Sequence, residues 1–414
     1  MPAFKRIISF NLIFGIIIAM FIPAMAVVAC RRDGRDLRVG LFGVEQVLQK
    51  KSPYDNPTDP NRTIFRYAPG IAILEYPFLL KSKMTTPYQF DNIIPSILAW
   101  YFAEVLALIF SAFLLLKLTP SLPPAVNWRN LKIGFLMSLP LIGYELSNCQ
   151  NKIIALFFVL LAVFLFERKK MLLSAVSLCV GLTIYIPLLF FALYLAIKSR
   201  GRFILSFIGG ALIVFIIGPS LIWSFKFNNF LLKEWFDYAL KPFMFTNSYT
   251  SYIDLRISSQ SLPSAIGRIF VSGHTETFKY SISPELVHII IKIFSAVIIL
   301  LSCLAVWKPS KSSSKGLGLA IFLILALIIP LYCIYYTWAW LFVIYFMALN
   351  YVTSAEASGT EKKVLLVLTS IMFLSTCLIG VSILKQNSFI FWATFILWLG
   401  MSCVLLREAF AGNY

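Results

Sequence analysis

The sequence predicts an all-α polytopic membrane protein, and three observations carry that expectation. Of its 414 residues, 59% are hydrophobic and only 13% charged, whereas about a quarter of a soluble domain is charged. Apolar runs of about 18 residues or more recur along the chain, each long enough to cross a hydrocarbon core about 30 Å thick. The alternating segments of about ten residues that mark membrane β-strands are missing.

The basic excess orients the spans. The net charge is +18, from 36 Lys and Arg against 18 Asp and Glu. In a soluble chain that balance would suggest nucleic acid. Here no nucleic-acid partner is expected, because short cytoplasmic loops of membrane proteins collect Lys and Arg. The rest of the excess lies in long polar loops, where lipid headgroups or a phosphate would meet it.

Lys5 and Arg6 precede the first span, residues 7–30, and hold the N-terminus in the cytoplasm. The run exceeds a usual signal core and many spans follow, so it reads as an uncleaved helix. Residues 31–92 then form a long outer loop. Residues 93–117 return to a short loop carrying Arg129 and Lys132, and residues 133–148 go out to a tight turn, Asn148 to Asn151. Residues 153–166 come back to Arg168, Lys169 and Lys170. Segment 171–198 is basic at both ends, so a hairpin of two short helices broken near Pro187 keeps both ends inside. The alternative is one proline-kinked helix. Residues 203–224 lead to a second outer loop, 225–286, and residues 287–307 return to Lys308, Lys311 and Lys315. The last spans are 317–334, 338–352, 364–384 and 388–406, with Arg407 opening an inner tail. The expected total is twelve helices in a single transmembrane domain, 1–414, with both termini cytoplasmic.

Candidate chemistry concentrates at the outer end. The stretch Asp33 to Pro77 holds Asp33, Asp36, Glu45, Asp55, Asp59 and Glu75, a third of all the carboxylates. Glu104 and Glu145 fall within spans, where an ionisable group is a functional candidate by default. Seven cysteines lie in or beside apolar segments without any CxxC, and the two histidines are His274 and His288. No metal or other cofactor is therefore expected, and the cysteines read as small core residues. His274 reads as a solvated or packed residue.

Several short elements occur in an order that resembles glycosyltransferase family 87, integral-membrane enzymes of the GT-C class. Asp36-Leu37-Arg38-Val39 opens the family's first-loop pattern and Pro53-Tyr54-Asp55 closes it, with Gly40 where the family has tyrosine. Tyr67-Ala68-Pro69 resembles its Tyr-Pro-Pro element, and Cys149-Gln150 its Gly-Gln turn. Ser259-Gln260-Ser261-Leu262 followed by Arg268 resembles its Asn-Gln-Ser-Leu motif and arginine, and Thr337-Trp338 its late Ser-Trp element. The family often has a lysine three residues before the proline of the broken helix, and that position is Ile184 here.

The resemblance implies transfer of a hexose, mannose above all, from a polyprenyl-phosphate carrier to a glycolipid or glycan acceptor on the outer face of the plasma (inner) membrane. Loop 31–92 would be catalytic and loop 225–286 substrate-binding. Inverting transfer needs one general base within reach of the acceptor hydroxyl. That role falls to Asp36, with Asp33 as its rival; the plainer reading is an exposed loop acid that caps a helix or pairs with Arg35 or Arg38. Arg256 and Arg268 suit the lipid phosphate, or else snorkel to headgroups. Gln150 and Gln260 would bond sugar hydroxyls, or cap helices. Tyr54, in loop 31–92, would bind substrate. Tyr67, Trp338 and Trp340 would stack on the sugar, or serve as interfacial aromatics. A transporter or flippase for a lipid-linked sugar or small polar solute is the alternative class, and a degenerate assembly subunit the third.

Overall fold

The structure is a computed structural model, described here for residues 2–54, 65–80, 83–86, 89–120, 122–240, 258–270, 283–308, 314–330 and 333–411. Asp55, Asp59, Arg256, His274 and Lys311 lie outside the described residues.

The chain is a helical bundle. Helix α1 (Pro2–Arg31) is followed at the loop end by α2 (Arg35–Leu48) and α3 (Ile71–Glu75). Strands β1 (Lys83–Thr86) and β2 (Gln89–Asp91) form a small antiparallel hairpin that the apolar pattern did not announce. Then come α4 (Ile94–Leu118), α5 (Pro124–Met137), α6 (Leu139–Ser147), α7 (Lys152–Glu167), α8 (Met171–Ile184), α9 (Leu189–Lys198), α10 (Phe203–Ala211), α11 (Gly218–Trp223) and α12 (Phe225–Glu234). The described remainder holds α13 (Leu262–Phe270), α14 (Pro284–Trp307), α15 (Lys315–Ile328), α16 (Leu341–Thr353), α17 (Gly359–Cys377), α18 (Ser382–Gln386) and α19 (Phe389–Ala411).

Among the described residues, six helices are long and apolar enough to cross a membrane. They are Phe10–Arg31, Ile94–Leu118, Phe203–Trp223, Glu285–Trp307, Gly359–Gly380 and Phe389–Phe410. The bent pair α6 and α7, folded back by 115°, makes a seventh if it counts as one span. This is a multi-pass membrane protein. Residues 133–148, expected as one span, belong to two helices that part at Ser138, just before Pro140. The expected span 317–334 stops at Ile328, and 338–352 begins with a tight 3-10 turn, Tyr335–Trp340.

Two shorter helices lie at the centre of the core. In α15 every residue from Leu317 to Ile328 is buried, and α16 is buried along most of its length. The long helices face outward with Leu12, Met20, Phe102, Phe110, Leu205, Leu221, Ile293 and Leu300. Apolar exposure of this kind suits hydrocarbon, which is as apolar as leucine. Helices in lipid gain instead from close packing and interhelical hydrogen bonds. Gly134 shows the packing: a Cβ there would lie 2.9 Å from the Phe342 carbonyl, so only glycine lets α5 meet α16. Across the same seam Asn130 Nδ2 donates to Asn350 Oδ1 at 2.8 Å. Trp398 Nε1 donates to Ser302 Oγ at 2.9 Å, tying α19 to α14.

The two ends of the bundle differ. At one end Lys198 Nζ donates to the Val306 carbonyl (3.1 Å), Lys308 Nζ to the Ala409 carbonyl (2.7 Å) and Ser314 Oγ to Glu408 (2.7 Å). Arg407 pairs with Glu361 at 3.4 Å, and the Glu361 carboxylate also accepts from Tyr351. Residues assigned to one side by their basic pattern do share one end. The opposite end carries α2, α3, the turn before α7, the start of α13 and the turn before α19.

Candidate functional site

At this second end the chain reverses after α1 through Asp33 and Gly34, both with positive φ (64° and 52°), and starts α2. Asp36 sits in the first turn of α2, where unsatisfied backbone N–H groups favour a carboxylate. It is half-buried and within electrostatic range of Lys152, Glu145 and Cys149. Its rival points elsewhere: the Asp33 side chain is 58% exposed and ion-pairs with Arg38.

Lys152 is the residue around which this pole is built. It starts α7 yet is only 6% exposed. Its Nζ donates to Asn151 Oδ1 (3.0 Å) and to the Ile184 carbonyl (3.4 Å). The ammonium lies 5.2 Å from the Tyr67 ring centre and 5.0 Å from that of Tyr185, both within range of a cation–π attraction. The Ile184 carbonyl is free because the helix ends there: Pro187 has no N–H, and the Leu188 N–H goes to Tyr185 instead. The Thr183 carbonyl, which a continuing helix would have bonded to residue 187, accepts from Ala68 N at 3.2 Å. The break at Pro187 thus supplies two carbonyls, one holding the Tyr67–Pro69 segment and the other Lys152. Lys152 therefore brings a cation beside the position where the family resemblance expects a lysine.

Three further carboxyl groups lie nearby. Glu145, fully buried, accepts from the backbone N–H groups of Lys152 (2.7 Å) and Ile153 (3.1 Å) and so caps α7. Its Oε2 has no partner among the described residues, and neither oxygen of Glu104 has one. Glu75, 2% exposed, ends α3 against α2. Burial pushes its carboxyl up to about 8, with Asn151 and Lys152 drawing it partway back. A Cβ on Gly40 would lie 2.0 Å from Glu75 Oε2, so the carboxyl occupies the space that any larger residue at position 40 would need. Gln150 is buried beside these groups, and its Oε1 is unpartnered among the described residues.

A basic pole adjoins this one. Arg268, on α13 and 4% exposed, donates from Nε to Ser388 Oγ (3.1 Å) and from Nη2 to Ser388 Oγ and the Ser259 carbonyl (2.8 Å). Gln260 Nε2 donates to the Lys385 carbonyl (3.1 Å) and the Tyr335 hydroxyl (3.4 Å). Lys385 Nζ lies 5.4 Å from the Tyr335 ring centre. The poles meet at Cys333. Its carbonyl accepts from Gln260 N at 2.8 Å, and its thiol lies among Tyr185, Thr337 and Trp338, in range of Lys152.

Other candidates support these two groups. Tyr54 is buried, and its hydroxyl donates to the Tyr67 carbonyl at 2.7 Å, bracing the residue that faces Lys152. Trp338 is fully buried at the junction, and Trp340 Nε1 donates to the Lys152 carbonyl at 2.9 Å. No group of three or more His, Cys, Asp or Glu placed to hold a metal occurs among the described residues.

The family model for glycosyltransferase family 87 matches residues 65–330. The chain belongs to that family. A comparison with curated proteins gave no match. Membership makes the protein a membrane glycosyltransferase, an enzyme that transfers a sugar to an acceptor. The matched segment includes Tyr67, Glu75, Gln150, Lys152, Gln260 and Arg268. Asp36, Tyr335, Lys385 and Ser388 lie outside it and join the site by geometry.

Sequence reasoning did not single out Lys152, Glu75, Lys385 and Ser388, which the structure brings into this cluster. Lys152 stands at the head of an apolar run, where a lysine reads as interfacial. Lys385 and Ser388 bound the short polar interruption between two C-terminal apolar runs. Glu75 gave no such signal, because its role depends on Gly40, 35 positions earlier in the chain.

Proposed function

We propose that this enzyme transfers a hexose from a polyprenyl-phosphate carrier to an acceptor hydroxyl with inversion, using Asp36 as general base. Mannose is the sugar the family resemblance implies, and a glycolipid or glycan the acceptor. The observation that carries the reading is the two-pole arrangement: carboxyl groups and one lysine beside Asp36, and a buried arginine held by a hydroxyl and a backbone carbonyl adjoining them through Cys333. The buried guanidinium of the second pole attracts a phosphate. The donor phosphate accordingly sits on Arg268, with Lys385 and Ser388 beside it, and the sugar extends toward Asp36.

The acceptor oxygen attacks the anomeric carbon from the Asp36 side as its proton passes to the Asp36 carboxylate. The bond from that carbon to the phosphate oxygen breaks, and polyprenyl phosphate leaves with its charge held by Arg268. The leaving group is already weakly basic, so the step needs no second acid of the kind that protonates a glycosidase leaving group. Twelve crossings with both termini cytoplasmic would put the site at the outer face of the plasma membrane. The collection of Lys198, Lys308 and Arg407 at the opposite end supports that orientation.

The test uses membranes containing wild-type protein or Asp36→Asn at equal level. Both receive radiolabelled polyprenyl-phosphate hexose and host lipid extract. Label moves to a new product with wild type, and transfer falls by about 10²–10⁴-fold in the variant, the usual contribution of a general base. Equal activity of the two would remove Asp36 from the mechanism.

A further inference from the structure

Glu75 has no part in the transfer step above, yet it is the most unusual group in the site. Its carboxyl lies directly over the α-carbon of Gly40, with Oε2 buried and without a hydrogen-bond partner among the described residues. Gly40 is one helical turn after Asp36 on α2, so residues 36 and 40 share a face. Glu75 therefore enters the face of α2 that carries the base, by way of a gap that a side chain at position 40 would close. Lys152 is in electrostatic range of both Asp36 and Glu75. An ammonium has three N–H donors, and two of those on Lys152 go to Asn151 and Ile184.

A buried acceptor, a lysine N–H and two flanking tyrosine rings are the set that recognises adjacent hydroxyls on a sugar ring. One hydroxyl donates to Glu75 Oε2 while its neighbour accepts from Lys152 Nζ. The apolar C–H face of the ring rests on Tyr67 or Tyr185. An epimer with one hydroxyl reversed leaves a buried polar atom unpaired, which is the strongest form of discrimination a site has.

We propose that Glu75 and Lys152 form the hydroxyl-reading pair that selects which hexose is transferred, and that Gly40 is the residue that admits Glu75. The proposal rests on the transferase reading above and concerns sugar binding, with Asp36 remaining the base. A bulky residue at position 40, such as the tyrosine of the family pattern, excludes Glu75 from this place, so the sugar subsite of this chain is built differently from that pattern.

The test uses the purified full chain in nanodiscs with host lipid extract as acceptor. Polyprenyl-phosphate mannose, glucose and galactose are the donors, and kcat and KM are measured for each. Glu75→Gln keeps the shape and changes the hydrogen-bonding character; Gly40→Ala leaves Glu75 in the chain and displaces its carboxyl. Both variants are expected to shift the ratio of kcat/KM between donors by about tenfold or more, mainly through KM, with monodisperse elution like wild type. Wild-type donor ratios in both variants, with wild type active, overturn the hydroxyl-reading pair and leave the transferase standing. If Glu75→Gln fails to fold, the Gly40→Ala ratios alone decide. Absence of transfer by wild type with all three donors overturns the transferase reading and this pair with it.

Discussion

The two poles of the site are built by opposite means. At the acidic pole, carboxyl groups are buried with atoms left unpartnered among the described residues: Glu75 Oε2, Glu145 Oε2 and both oxygens of Glu104. At the basic pole, Arg268 is buried but spends its N–H groups on Ser388 and the Ser259 carbonyl. A buried polar atom without a partner costs roughly 1–3 kcal/mol, and more if charged. Such a cost persists where a ligand supplies the missing bond. The acidic pole thus has the character of a place awaiting hydroxyl groups, and the basic pole that of a rigid mount for one cation.

The sharpest break of this comparison is Asp36→Asn, which should reduce turnover by about 10²–10⁴-fold without changing the KM for the donor lipid. If the loss appears in KM instead, Asp36 binds rather than reacts. Next comes Arg268→Lys, which keeps the charge and loses the planar fork. It should raise the KM for polyprenyl-phosphate hexose by about 10–100-fold, equally for every sugar. A sugar-dependent effect would move the phosphate away from this pole.

A smaller effect is expected from pH on stability. The Glu75 carboxyl is raised to about 8 in the fold, above its ordinary value of 4.5, because burial disfavours its charged form. The folded state then holds the proton more tightly than the unfolded chain. Stability from this group is fully present below about pH 4.5 and is lost as pH rises through about 8. Thermal unfolding in detergent should therefore fall by a few degrees between pH 5 and 9 in wild type, and by less in Glu75→Gln. Parallel curves would show that Glu75 ionises freely. Smallest of all is Asp33→Asn. Exposed ion pairs contribute about 0–1 kcal/mol, so transfer should change less than about twofold. A loss as large as that of Asp36→Asn would exchange the roles of the two aspartates.

Much of this was legible in the chain. The break at Pro187 follows from a missing N–H, and the helix does end at Ile184. Gln260 and Arg268 were visible as a polar pair in a loop, and the structure brings them to one pole. Lys152 was hidden because a lysine at the head of an apolar run reads as an interfacial residue, and only its burial between Tyr67 and Tyr185 shows otherwise. The helix pattern was less legible. Hydropathy marks where a run is apolar and not where it breaks, so the joint at Ser138 was read through, while the break expected between 334 and 338 holds a 3-10 turn that runs on to Trp340.

The sequence by itself determined that this is a membrane protein, which segments are apolar and at which end the carboxylates gather. Those properties follow from local composition, and each apolar run carries its own transfer free energy. Only the tertiary structure decided that α15 and α16 lie at the centre of the core while Phe10–Arg31 and Phe203–Trp223 stay at the rim, because burial depends on neighbours that the run does not contain. It alone set Glu75 against Gly40 and brought Lys152 to the free carbonyl of Ile184. These are contacts across 35 and 32 residues of chain, and no local pattern encodes which distant backbone leaves the gap that a side chain fills.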